Sequence, residues 1–272
     1  MYESFYTLTK KPFTITSNPN FLYLSENHKE ALAHLVYGIK HRVGFIEITG
    51  EIGAGKTTVC RALLNQLDQK TKTAFIFNSN LSELQLLQTI IDDLGIRPSG
   101  KNKGSMFADL NRFLIDQLSL GNNVVIIIDE AQNLSKKLLE QVRMLSNLEA
   151  ENEKLLQIVL VGQPELRDKL RDPELRQLHQ RIGVRYHIRA LSKADVGQYI
   201  THRLSVAGSS YKSGPFFDDK AIDAVYEYSK GIPRLINVVC DKALLHGFVL
   251  ETQRITSDLV HQSIREIEGV WS

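Results

Sequence analysis

At 272 residues the chain has room for one large domain, or for a domain with a smaller companion. Hydrophobic residues make up 43% and charged residues 24%, ordinary for a soluble globular chain with a core, and a net charge of +2 gives no polyelectrolyte argument for nucleic acid. Cys60 and Cys240 have no motif around them and read as small buried hydrophobes, which sets aside a disulfide framework and a thiolate metal site.

The first stretch, "MYESFYTLTKKPFTITSNPNFLYLS", lacks a basic start followed by an apolar core, so it is not a secretory signal. It is rich in aromatics, Pro and Asn without a helical period, and reads as an irregular arm over residues 1–28, packed on the body. A helix then begins at Ser25, with apolar positions at Leu32, Leu35, Val36 and Ile39. Short apolar runs at 44–49, 73–78, 124–129, 157–162 and 184–190 read as five buried strands. Between them lie amphipathic helices: one capped by Ser82 and stopped at Gly95, one over "SMFADLNRFLIDQLSLG", one with Leu138, Leu139, Val142, Leu145 and Leu148 on its apolar face. Buried strands alternating with helices predict a parallel sheet covered on both faces. The longest apolar run, "VVIIID", is too short to span a bilayer.

After residue 190 the strand signal stops. Ser192-x-x-Asp195 is a capping-box pattern, further helices follow, and Pro233 sits where a first-turn proline is tolerated. The organisation predicted is an arm over 1–28, an α/β domain over 29–190 and an all-helical domain over 191–272.

The chemistry is carried first by Gly50-x-x-x-x-Gly55-Lys56-Thr57, which follows a predicted strand and opens a predicted helix. Glycines let backbone N–H groups turn onto phosphates, Lys56 supplies a point charge at the β and γ oxygens, and the Thr57 hydroxyl is a Mg²⁺ ligand. "VVIIIDEAQ" supplies the partner: Asp129 ends a buried strand at the sheet's carboxyl edge and would hold Mg²⁺ through water, and Glu130 is the candidate that activates the attacking water. No Asn-Lys-x-Asp guanine-specificity sequence is present, so adenine is the expected base. Gln163 ends the fourth strand; it either reaches the γ-phosphate or the attacking water, or caps the next helix. Among Arg171, Arg176, Arg181 and Arg185, most are expected on the surface, with Arg181 the first choice for a catalytic arginine from a neighbouring subunit. "GIPRLIN" puts Arg234 in the first turn of a helix, where a cation opposes the helix dipole; reaching the γ-phosphate would explain it. The eight histidines show no metal-ligand spacing.

Together these residues resemble the AAA+ superfamily: the P-loop, "IIIDEAQ", a polar residue after the fourth strand, an Arg before the fifth, and "GIPR" in a helical lid. The arm, "ITGEIGAGKTT", "VVIIIDEAQNLS", "IVLVGQPEL", "LRQLHQRI" and "GIPRLINVVCDKALL" resemble the general secretion pathway protein A family, also called ExeA, together with related ATPases of pilus and exopolysaccharide export loci. The resemblance implies a five-stranded P-loop ATPase with a helical lid, working as an oligomer that forms on nucleotide binding, from a dimer up to a ring. Cytoplasmic ATPase domains of this family act with a membrane partner B protein to assemble a secretin; longer members add a membrane helix and a periplasmic peptidoglycan-binding domain, so the sequence is expected to be either a cytoplasmic fragment of such a longer protein, tied to the inner membrane by a further segment or a partner, or a short family member. Residue by residue it assigns the nucleotide loop to Glu51, Ile52, Gly53, Ala54, Gly55, Lys56, Thr57 and Thr58, and Mg²⁺ to Thr57 and, through water, Asp129. The base is then Glu130, sensor one Gln163, the trans arginine Arg181 and sensor two Arg234, with Phe21 and Leu22 near the adenine. A competing assignment is a DNA-transaction ATPase resembling the transposition regulators TniB and MuB; the near-neutral charge and absence of a basic, aromatic-interleaved patch weigh against it. A small-molecule kinase is disfavoured by Glu130, a base aimed at water.

Overall fold

Five short strands pair in parallel: β1 (Phe45–Gly50), β2 (Thr71–Ile76), β3 (Asn123–Ile128), β4 (Gln157–Gly162) and β5 (Ile182–Ile188). Their order across the sheet is β2-β3-β4-β1-β5. The structure is a computed structural model, and the residues it describes are 1–15, 19–77, 81–150, 153–209 and 216–270. The sequence predicts the second strand at 73–78; it starts two residues earlier, at Thr71, and Asn78 lies outside the described residues.

Unbroken apolar runs make the strands because both faces are covered: Val124 to Ile128 are all buried. The covering helices are α1 (Glu26–Lys40), α2 (Lys56–Gln66), α3 (Glu83–Asp93), α4 (Lys103–Ser119), α5 (Lys136–Leu145), α6 (Pro164–Leu170) and α7 (Arg176–Arg181). Leu86, Ile90, Leu110, Leu114, Leu139 and Val142 share one core cluster with Ile126, Ile158 and Leu160 of the strands. Each such side chain contributes about 1.5–3 kcal/mol of transfer free energy. Local chemistry sets the helix starts. Ser82 and Gln85 form a reciprocal capping box, and Ser135 caps α5.

Register fixes where chemistry can happen. Thr49 pairs with Gly162 and Ile128 with Leu160, so β1, β3 and β4 end at one edge of the sheet. That carboxyl edge is where open parallel sheets bind ligands.

The chain divides into two compact units. One comprises His28–Gly50 and Val59–Ile188, the sheet with its helices; the other gathers Met1–Asn27, Glu51–Thr58 and Arg189–Ser272. In the second unit, α8 (Lys193–Val206), α9 (Asp219–Ser229), α10 (Pro233–Val249) and α11 (Ser257–Ile267) surround their own core. The Ser192–Asp195 capping box opens α8, and Pro233 is the first residue of α10. The arm is part of this core: Tyr2, Tyr6, Leu8, Phe13 and Phe21 are buried with Ile200, Val239 and Leu244. Polar contacts fix its register, with the Tyr6 hydroxyl donating to the Leu244 carbonyl at 3.0 Å and Thr9 N–H to the Ala207 carbonyl at 2.8 Å. Past residue 190 the sequence predicts helices alone. The structure adds a parallel ladder of Phe216–Phe217 with Arg254–Ile255, two residues long and so too short to leave an alternating pattern.

Candidate functional site

β1 ends at Gly50 and α2 opens at Lys56, so the loop between them delivers the chain to a helix N-terminus, whose first N–H groups have no acceptor within the helix. Gly53 (φ +80°) and Gly55 (φ +96°) both take left-handed backbone. The loop closes on itself: Ala54 N–H donates to the Glu51 carbonyl at 3.1 Å, and the Lys56 ammonium donates to the same oxygen at 2.9 Å. Lys56 is only 5% exposed, so its charge is held over the loop and not released to solvent. Glu51 and Ile52 are exposed, whereas Thr57 and Thr58 are half-buried. Arg234, exposed near the start of α10, lies against this loop: a methyl group at Gly53 would sit 2.6 Å from the Arg234 Cβ and 3.2 Å from Ile232 Cγ2. Glycine at 53 therefore serves both the turn and the close approach of the arginine.

In the other unit a carboxylate cluster follows β3. Asp129 is 3% exposed; its N–H extends the β2–β3 pairing to the Ile76 carbonyl at 2.9 Å, and its Oδ1 accepts the Glu130 N–H at 2.9 Å. Glu130 itself sits in the left-handed region, φ +53° and ψ +36°, a conformation that non-glycine residues hold at functional sites when their surroundings over-determine it. Those surroundings are two amides. Glu130 Oε2 accepts from Gln132 Nε2 at 2.5 Å and from Gln163 Nε2 at 3.1 Å. Gln132 Oε1 in turn accepts the Gln163 backbone N–H at 3.0 Å. Gly162 makes this possible, since a methyl group there would lie 2.8 Å from Gln132 Oε1. The Lys169 ammonium donates to the carbonyls of Gln132 and Leu134 and so pins the turn from below.

Gln163 stands at the N-cap position of α6, yet its side chain makes no cap hydrogen bond; it binds Glu130 instead. Sequence reasoning passed over Gln132. The signal was there, an amide two residues beyond a strand-end glutamate, but its partner is 31 residues away. Arg181 ends α7 and is half-buried, with Nη1 donating to Ser146 Oγ at 3.0 Å and to Asn147 Oδ1. Arg171 pairs loosely with Asp168 at 3.8 Å, and Arg185 approaches Glu47 at 3.4 Å. Phe21 is buried beneath the Arg203 guanidinium, 4.9 Å from its ring centroid, and Leu22 is half-buried. Arg203 was also passed over: it is 7% exposed and donates to the Pro12 carbonyl at 2.5 Å and the Tyr199 hydroxyl at 3.0 Å. It sits four residues after Tyr199 on α8, inside a buried face.

Residues 39–170 match the family model described as "AAA domain". General secretion pathway protein A of Aeromonas hydrophila is 46% identical over 99% of the chain. The chain belongs to the family of general secretion pathway protein A, built on an AAA domain. It spans about half, 49%, of that relative's length. The ATP-dependent target DNA activator B of Escherichia phage Mu is 25% identical over 81% of the chain and 65% of its own length. Among solved structures, the Aeropyrum pernix ORC2 protein in its ADP form superposes with a TM-score of 0.69, covering 94% of this chain and 72% of that one at 17% identity. The Cdc6p structure from Pyrobaculum aerophilum gives 0.70 over 93% and 71% at 16% identity. These likenesses establish the AAA fold of the family: a five-stranded parallel P-loop sheet with a helical C-terminal region. No helix among the described residues is long and apolar enough to cross a membrane.

Proposed function

We propose that the chain binds ATP with Mg²⁺, hydrolyses it, and uses the cycle to switch shape during assembly of a bacterial cell-envelope machine. The observation that carries the hydrolytic reading is the clasp on Glu130. Two amide donors bind one carboxylate oxygen, Oε2, and fix the side chain in a strained turn. That leaves Oε1 to take the proton of an attacking water, the work of a general base. Glu51 to Thr58 supply the phosphate loop, with Lys56 at the β and γ oxygens and Arg234 reading the γ-phosphate from the start of α10. Hard oxygen donors suit Mg²⁺. The Thr57 hydroxyl and, through water, the Asp129 carboxylate would hold it, and the metal would neutralise phosphate charge when bound.

Gln163, on the base, reads as the residue that senses the water or γ-phosphate. Arg181 is the candidate trans arginine of a homo-oligomer; its bonds to Ser146 and Asn147 would hold it ready in the isolated subunit. Phe21 is occupied by the helical core and Arg203, which leaves Leu22 as the arm residue for the adenine. The similarity to general secretion pathway protein A, which runs along 99% of this chain and 49% of that relative, supports the envelope role, a cytoplasmic site of action and a membrane partner B protein. Arg181→Ala tests the oligomer: turnover should fall in the assembled state and match wild type at dilutions where both are monomeric, and equal impairment at every dilution would reject the trans role. The 25% identical phage Mu activator supports a second reading, ATP-controlled DNA binding. Submicromolar DNA affinity with a steep salt slope would favour that reading, and its absence the first.

A further inference from the structure

Glu47 is an oddity that the ATPase reading does not use. It lies in the middle of β1 at 1% exposure, with the fully buried Ile46 and Ile48 on either side. Parallel pairing sets it opposite Arg185 of β5, and α6 brings up Arg167. Neither arginine closes on it: Nε of Arg185 stays 3.4 Å from Oε2, and Nε of Arg167 stays 3.8 Å from Oε1. The forks of both are turned elsewhere, Arg167 Nη2 donating to Thr49 Oγ1 at 3.1 Å and Arg185 Nη2 to the His179 carbonyl at 2.5 Å. Oε1 of Glu47 is left buried with no hydrogen-bond donor. A buried, ionised oxygen without a donor is costly, and burial pushes the Glu47 carboxyl above its usual range against the pull of the arginines.

Glu47 also lines a cavity of about 250 Å³, together with Arg167, Arg171, Arg185, His179 and His187. Tyr186 completes the lining, and its hydroxyl already donates to Glu30 at 2.8 Å. Three guanidinium groups outweigh the one carboxylate on the wall by two charges, and Asp168 meets only the outer arginine, at 3.8 Å. The cavity thus makes two demands at once. Its cations call for an oxyanion, and Glu47 Oε1 calls for a hydrogen-bond donor. Hydrogen phosphate meets both, since its charged oxygens suit the arginines and its one O–H can donate to Glu47. Sulfate carries no proton near neutrality and would set a lone pair against a carboxylate.

We propose that this cavity binds a protonated phosphoryl oxyanion, either free hydrogen phosphate or the end of a phosphomonoester, and that Glu47 rejects sulfate. The site is separate from the P-loop and independent of what the P-loop does.

The test is calorimetric titration of inorganic phosphate and, separately, sulfate into Lys56→Ala protein at about pH 7.5, so that the P-loop lysine is gone. Phosphate should bind at least about ten-fold more tightly than sulfate. Arg171→Gln in the same background should weaken phosphate about ten-fold, the loss of one charge-assisted contact. Arg171 is largely exposed and pairs loosely with the likewise exposed Asp168 at 3.8 Å, so this variant should fold as wild type does. Glu47→Gln, whose amide can donate as well as accept, should bring sulfate to within about two-fold of phosphate. Phenyl phosphate separates the sources: a monoester loses its last proton near about pH 6, so binding that strengthens as pH falls through that value assigns the ester end. Rejection of phenyl phosphate throughout assigns free phosphate. No phosphate binding in Lys56→Ala protein, equal affinity for phosphate and sulfate, or indifference to Arg171→Gln would each overturn the proposal.

Discussion

Replacing Gly53 by Ala tests whether the P-loop and Arg234 are built against one another. Two penalties arise. Gly53 holds φ +80°, and an L-residue in left-handed backbone costs about 1–2 kcal/mol. The new methyl would also sit 2.6 Å from the Arg234 Cβ, and neither carbon can rotate away because both are fixed to backbone. Overpacking of that kind costs about 1–3 kcal/mol. The free loop can relax; the cost is collected when nucleotide forces the amides back to the open-glycine conformation. Together the terms come to about 3 kcal/mol, or about a hundred-fold in Kd. Arg234→Ala would keep the offending Cβ, so the informative partner is Arg234→Gly. In that background the clash with Arg234 is gone, the backbone term and the 3.2 Å approach to Ile232 Cγ2 remain, and Gly53→Ala should weaken ADP about ten-fold. ADP affinity of the four proteins, measured by calorimetry, closes the double-mutant cycle. Equal loss in both backgrounds would refute the contact, and a loss under two-fold in wild type would refute the whole argument.

Gln132→Ala should leave ADP affinity unchanged and lower ATP turnover about ten-fold or more, because Glu130 loses its shorter amide clasp and Gln163 its backbone anchor; unchanged turnover would remove Gln132 from the site. Arg203→Met should free the arm from α8 and strand the Pro12 carbonyl, a loss of about 2–4 kcal/mol in urea unfolding accompanied by faster proteolysis of the first 20 or so residues. Protection of the arm equal to wild type would show that its aromatics alone hold it. Glu47 gives a pH signature. Burial holds its folded pKa above the unfolded value, so the folded state binds the extra proton, and stability rises as pH falls through that window. Wild type should therefore gain on Glu47→Gln as pH drops from about 8 to about 5 in parallel urea titrations; a relative loss would reverse the assignment.

Much of this was legible where one residue's chemistry is decided locally. "VVIIID" could only be a doubly covered strand, and Ser82 and Ser192 marked helix starts because capping is a three-residue interaction. The order β2-β3-β4-β1-β5 was not legible from strand pattern, since five apolar runs carry no record of their neighbours. The arm's aromatics announced burial but not where, because Tyr2, Tyr6 and Phe13 have no period and find partners about 200 residues on. The same limit hid the amide clasp. Gln163 could equally cap α6 until the fold brought Glu130 to it, and Gln132 acquires meaning only beside Gly162. Glu47 was hidden inside "GFIEIT", where one carboxylate hardly alters an apolar run, and its cationic surroundings come from α6, α7 and β5.

The direct test of the central claim is phosphate release from Mg²⁺-ATP by wild type and by Glu130→Gln, with nucleotide affinity measured on both. The account predicts equal affinity, steady release by wild type, and release at least about a hundred-fold slower in the variant, the share a positioned general base contributes. Equal release by the two proteins would contradict it, as would a wild type that binds ATP and returns it unhydrolysed.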